Sequence, residues 1–162
     1  MSKVFKRRIV REKVLQILYA YNMNKESLEA ITGFMLSDVE DRADREFANE
    51  LVNKVLIYKD ELDKEIKKRV NNWELNRIAL IDKLLLRMGI CELLYFPDIP
   101  PKVSINEAIE IAKMYSTAGS GKFINGILDA ILSDLKDTGI LNKSGRGLIE
   151  ESPAKQSRQR EE

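Results

Sequence analysis

The 162-residue sequence predicts a single all-α domain. Three observations carry that reading. Apolar residues recur with helical spacing through most of the chain, no stretch of useful length alternates with period two, and a proline helix stop is followed at once by a helix start signal. No internal repeat is present. A chain of this length buries roughly 70% of its unfolded surface, enough for a core that needs neither disulfide nor metal.

The elements follow in order. Val10, Val14, Ile17, Leu18 and Tyr21 form a continuous apolar face that predicts a helix over residues 6–23. Its opposite face shows Arg8, Glu12, Gln16 and Tyr19, with Arg7 and Arg11 nearer the boundary. A short helix is expected over 28–36, and Phe47, Leu51, Val55 and Tyr58 mark a longer one, followed by a charged segment over 59–70. Residues 78–96 are apolar almost all round, as in a central helix contacted from several sides, and Pro97, Pro100 and Pro101 end it. Ser104 with Glu107 three residues on reads as a capping box opening the next helix, whose stripe is Ile105, Ala108, Ile109 and Ala112. After a loop over 116–121, a final helix buries Ile124, Ile127, Leu128, Ile131 and Leu135. From about residue 138 the pattern fails, and the remainder reads as a mobile tail with too little apolar surface to offset its chain entropy.

Composition narrows the chemistry. The chain has no histidine, which excludes Ser-His-Asp and Cys-His nucleophiles, histidine bases and nearly all mononuclear zinc sites. Its one cysteine, Cys91, lies in an apolar run and reads as an inert core thiol. No stretch approaches the roughly 20 apolar residues that cross a bilayer, and the basic start lacks an apolar signal core, which points to a cytoplasmic protein without a membrane role. Net charge is only +1, but residues 1–13 hold six bases against Glu12 alone, a balance of +5 that leaves −4 for the rest. Such polarity concentrates polyanions at one end, although the same residues also suit a solvated helix start.

Gly119-Ser120-Gly121-Lys122 invites comparison with a phosphate-binding P-loop. The comparison fails, because Ser116 and Phe123 stand where that motif needs Gly and Ser or Thr, and a helix rather than a strand precedes it. A glycine-rich turn with a lysine at a helix start remains, able to meet a backbone phosphate or simply to join packed helices. Glu107 and Glu110 lack the further ligands a metal site needs, and no carboxylate pair suggests acid–base work. The first helix differs in combining basic, amide and aromatic groups. Arg7, Arg8 and Arg11 can meet phosphates, Gln16 a base edge, and Tyr19 an unpaired base, a set suited to single-stranded RNA. Arginines on helix surfaces and a tyrosine at a core edge are also common without any such role.

Several segments together resemble the NusB transcription antitermination factors. They are Arg7-Arg8-x-x-Arg11-Glu12-x-x-x-Gln16-x-Leu18-Tyr19, Asp82-Lys83-x-Leu85-Leu86-Arg87, Pro101-x-Val103-x-Ile105-Asn106-Glu107-Ala108-Ile109-Glu110-Ile111-Ala112-Lys113, and Lys122-Phe123-Ile124-Asn125-Gly126-Ile127-Leu128-Asp129, in order from about residue 6 to 135. The resemblance implies a compact fold of about seven helices in two small packed bundles, roughly 1–70 and 71–137. It implies a non-enzymatic factor without cofactor or metal, which binds boxA-type nascent RNA together with a small-subunit ribosomal protein that doubles as a Nus factor. That complex helps RNA polymerase read through ribosomal RNA operons. By the same resemblance Arg7, Arg8, Arg11, Gln16, Tyr19, Lys122 and Phe123 are RNA-contacting positions, and Asp82 faces the ribosomal partner. Gly119 and Gly121 depart from the family, which often has an acidic residue at the first and sometimes histidine at the second.

Two alternatives stay open on the sequence. A helical homodimer without an RNA role would hide the same surface, and some family members do dimerise. NusB-like domains also precede RNA cytosine methyltransferases, but that chemistry requires a further α/β cofactor domain with a glycine-rich strand-to-helix turn, which this sequence does not contain.

Overall fold

A computed structural model describes residues 2–25 and 27–149, and among these it contains eight α-helices, one short 3-10 helix and no strand. The helices are α1 (Lys3–Asn24), α2 (Leu28–Met35), α3 (Arg42–Ile57), α4 (Lys59–Lys67), α5 (Asn72–Arg77), α6 (Leu80–Tyr95), α7 (Pro101–Tyr115) and α8 (Ala118–Asp137). The all-α expectation holds, with one helix more than expected. The addition, α5, starts at a capping box: the Asn71 side chain accepts the Glu74 amide at 2.8 Å while the Glu74 carboxylate accepts the Asn71 amide at 3.0 Å.

The capping box expected at Ser104 and Glu107 is not formed. α7 begins four residues earlier, with Pro101 in its first turn where a missing amide costs nothing. Ser104 and Glu107 therefore lie inside the helix and turn inward, and both are buried. The loop expected over 116–121 is also shorter. α8 starts at Ala118, so Gly119, Ser120 and Gly121 belong to its first turn.

α6 is the central element, packing against α1, α3, α4, α7 and α8. This explains its nearly continuous apolar sequence, which buries Leu84, Leu85, Leu86, Met88, Ile90, Cys91 and Leu93. The buried Cys91 thiol is pushed well above its ordinary pKa by burial, in keeping with an inert core role. Gly89 lets α8 come close, since a Cβ there would lie 2.9 Å from Leu128 Cδ1. One apolar core runs from Val10 and Leu51 through Leu85 and Ile90 to Ile124 and Leu135.

The expected mobile tail is docked as far as the structure describes it; residues 150–162 lie outside the described residues. Lys143 Nζ donates to the carbonyls of Glu92 and Phe96 at 3.0 and 2.8 Å, satisfying acceptors at the C-terminal end of α6. The Ser144 amide donates to the Pro97 carbonyl at 2.9 Å, and a 3-10 turn spans Gly145–Leu148. Gly147 is buried against Pro97 so closely that a Cβ would fall 1.9 Å from its carbonyl oxygen. Backbone and lysine hydrogen bonds hold this strap, with Leu141 packed against the core just before it, so hydropathy gives little sign of it.

Candidate nucleic-acid interface

The arginines of α1 are not alike. Arg11 is only 3% exposed, and its Nε and Nη2 donate to the two carboxylate oxygens of Glu92 at 3.0 and 2.6 Å. Glu92 is 2% exposed and also accepts from Ser104 Oγ at 3.0 Å. Burial opposes the Arg11 charge, but the Glu92 carboxylate outweighs it and leaves the group more firmly protonated than an ordinary guanidinium. Arg11 was expected to meet phosphate. It is instead an internal strut between α1 and α6, its fork already filled by a buried carboxylate.

Arg8 makes the equivalent bidentate pair with Glu107 of α7, at 2.7 and 2.9 Å, but remains partly exposed. Hydrogen bonding to Glu107 strengthens its charge. Two of its N–H groups are used and the others remain for an external acceptor. Arg7 donates to Asp44 at 3.1 Å and lies over the Phe47 ring at 4.3 Å, which holds its guanidinium against α3. Each arginine thus ties α1 to a different helix.

Farther along α1, Gln16 Nε2 donates to the Tyr115 hydroxyl at 2.9 Å, joining α1 to the last residue of α7. Tyr19 is 38% exposed, so its ring can offer a face to a base. Tyr115 is equally exposed and was not singled out from sequence, since a tyrosine closing a helix carries no distinctive pattern.

Two residues after Tyr115, Thr117 caps α8 without a side-chain hydrogen bond. Ser120 organises this turn. Its hydroxyl donates to Asp82 Oδ2 at 2.9 Å and lies 2.8 and 3.2 Å from the hydroxyls of Ser116 and Thr117. Asp82 was expected to face a protein partner. It is only 8% exposed, one oxygen is taken by Ser120 and the other is buried without a hydrogen-bond partner among the described residues, so it steadies the α8 turn from behind rather than presenting a carboxylate outward. Beyond the turn, Lys122 is exposed and Phe123 is 37% exposed. Neither glycine is required by crowding: a Cβ at Gly119 or Gly121 would meet nothing nearer than 3.8 or 3.6 Å.

The Gln16–Tyr115 bond brings the outer face of α1 to the α7–α8 turn that precedes Lys122 and Phe123. Tyr19, Tyr115 and Phe123 are each partly exposed, Gln16 adds an amide, and Arg8 and Lys122 add cationic groups. Such a surface can stack bases and meet phosphates. Among the described residues there is no metal-type cluster of acidic, cysteine or histidine ligands, and no helix is long and apolar enough to cross a membrane.

Comparison with known proteins agrees with this architecture. Residues 8–133 match the profile of the NusB family. The transcription antitermination protein NusB of Chloroherpeton thalassium is 49% identical over 157 residues, covering 96% of this chain and 74% of that protein. The protein of the same description from Salinibacter ruber is 50% identical over 147 residues, covering 88% and 91% respectively. The structure resembles that of T. maritima NusB, with a TM-score of 0.73 at 38% identity, covering 79% of this chain and 91% of that one. It also shares its fold with a NusB solved together with NusE and double-stranded RNA, at a TM-score of 0.72 and 23% identity, with coverage of 83% and 99%. On its sequence and on its fold, the chain belongs to the NusB family.

Proposed function

We propose that this chain is a non-enzymatic transcription antitermination factor that binds boxA-type nascent RNA together with a small-subunit ribosomal protein, in the cytoplasm, and promotes read-through of ribosomal RNA operons by RNA polymerase. The observation that carries the reading is 49% identity over nearly the whole chain to a protein named as a transcription antitermination protein. The fold neighbour solved with NusE and RNA supports a ternary arrangement.

In this reading Tyr19 and Phe123 stack on unpaired bases, Gln16 and Tyr115 hydrogen-bond base or sugar edges, and Lys122, Arg8 and Arg7 meet phosphates. Arg11 and Asp82 act as positioning residues behind that surface. Binding that depends on phosphates weakens with salt, with a log–log slope of about −0.7 per contact on single strands.

Titrating a boxA-type RNA into the purified protein, with and without the ribosomal partner, tests the reading. Affinity is expected to rise when the partner is present, to fall when the boxA sequence is scrambled, and to weaken with salt. Indifference to both partner and RNA sequence contradicts it.

A further inference from the structure

The docked strap has no role in the surface described so far, yet it closes a cleft beside it. The cleft, of about 630 Å³, lies between the first turns of α1, the start of α3, the α6–α7 connection and the strap. Lys3, Lys6 and Arg7 line it from one face of α1, and Arg146 lines it from the strap. Glu107 forms part of its wall, so the Arg8–Glu107 pair separates the cleft from the Gln16–Tyr19 face.

The charges in the cleft sort into spent and unspent groups. Asp44 is paired with Arg7, Glu107 with Arg8, and Asp41 caps α3 by accepting the Asp44 amide. Lys3, Lys6 and Arg146 are all exposed and make no ion pair among the described residues. Against these three cations stand the cap carboxylate of Asp41 and that of Asp98, so the lining keeps an excess of positive charge that an acidic ligand would balance.

The position of Arg146 is built. Gly145 has φ +54°, a left-handed conformation that favours glycine, and Gly147 touches the Pro97 backbone too closely for any side chain. Two glycines therefore flank the arginine where the strap crosses the cleft, while Lys143 and Ser144 anchor it upstream.

We propose that the strap completes a second phosphate-binding site, in which Arg146 with Lys3 and Lys6 holds backbone phosphates of the RNA beyond the Arg8–Glu107 pair. The proposal rests on the RNA-binding reading above. It makes the segment after α8 part of the binding surface, and it assigns the basic excess of the first residues to ligand rather than to solvent.

The test is a fluorescence titration of a boxA-type single-stranded RNA across a salt series, using the full chain. Arg146→Gln is expected to weaken binding about threefold at low salt and to reduce the salt slope by about 0.7, and Lys3→Gln/Lys6→Gln/Arg146→Gln to reduce it by about 2. Gly147→Val, which forces the strap off Pro97, is expected to match Arg146→Gln, with its helical fold checked by thermal unfolding. Should Gly147→Val fail to fold, the glutamine variants decide alone. Inorganic phosphate should compete only weakly, since separate cations along a strand suit a polyanion better than one small ion. Wild-type affinity and slope in both glutamine variants, alongside weakened binding by Lys122→Gln, would overturn the strap site and leave the RNA-binding reading intact. Absence of RNA binding by the wild-type chain overturns both.

Discussion

The arginine row of α1 and the opening turn of α8 both look, in sequence, like places where a cationic group meets RNA. In the structure they differ in burial and pairing. Arg11 and Glu92 are buried and joined in a fork, and Arg8 and Glu107 repeat the arrangement nearer the surface. Lys122 and Phe123 have no such internal partner among the described residues and stand exposed. A basic cluster is thus no measure of ligand contact. Burial separates the two cases: Arg11 is both paired and buried, whereas Arg8 is paired but keeps N–H groups toward the outside.

The largest test of this contrast is Arg11→Met. It leaves Glu92 buried without its counter-charge, and breaking a buried pair this way costs about 3–5 kcal/mol. Urea unfolding should show that loss, while RNA affinity measured on the folded fraction changes little. Replacing Glu92 as well, in Arg11→Met/Glu92→Leu, should recover much of the stability, because the unpaired charge is gone.

Tyr19→Ala probes the other side. Base stacking on an aromatic side chain is worth about 1–3 kcal/mol, so RNA binding should weaken about 5- to 150-fold by titration. The unfolding midpoint should move less than loss of a buried aromatic would move it, since Tyr19 is only partly covered.

Gly119→Asp sharpens the comparison by placing a carboxylate in the first turn of α8, where the structure has room for one. The helix N-terminus should gain about 0.3–1 kcal/mol of stability. RNA affinity should fall modestly, because the new charge opposes Lys122 for the same phosphate. Opposite movements of unfolding midpoint and affinity in a single variant are the expected signature.

The smallest effect concerns the strap. Lys143 is pushed down to about 8, chiefly by burial, while Glu92 and Asp98 oppose the shift. The docked strap therefore releases this proton more readily than the free chain does. Docking gains stability as pH rises from about 8 toward the ordinary lysine value, and below about 8 that gain is absent. The difference in melting temperature between wild type and Lys143→Met should widen in favour of wild type from about pH 7 to about pH 9.5.

Legibility in the sequence followed the physics of each signal. The apolar face of α1 and the all-round apolar character of α6 reflect burial directly, and both helices lie within a few residues of expectation. Ser104 and Glu107 misled because a Ser-x-x-Glu pattern has the same residues whether it caps a helix or points into a core; Pro101, already known as a helix stop, was equally a helix start. Arg11 was legible in principle. It precedes Val14, Leu15 and Leu18 at core-facing spacing, and Glu92 is the one charged residue in the second half of α6, so each needed a partner that only the fold could identify. The strap was not legible, since its anchors are backbone carbonyls that leave no trace in residue type.

The exposed groups of the α8 turn are thus expected to bind RNA, with the buried arginine of α1 in a supporting role. Lys122→Gln/Phe123→Ala, compared with wild type for boxA-type RNA affinity and urea unfolding in the same buffer, tests it most directly. At least tenfold weaker binding is expected, from the loss of one stacked base and one phosphate contact, with unfolding unchanged to within about 0.5 kcal/mol. Unchanged RNA affinity in this variant would contradict it.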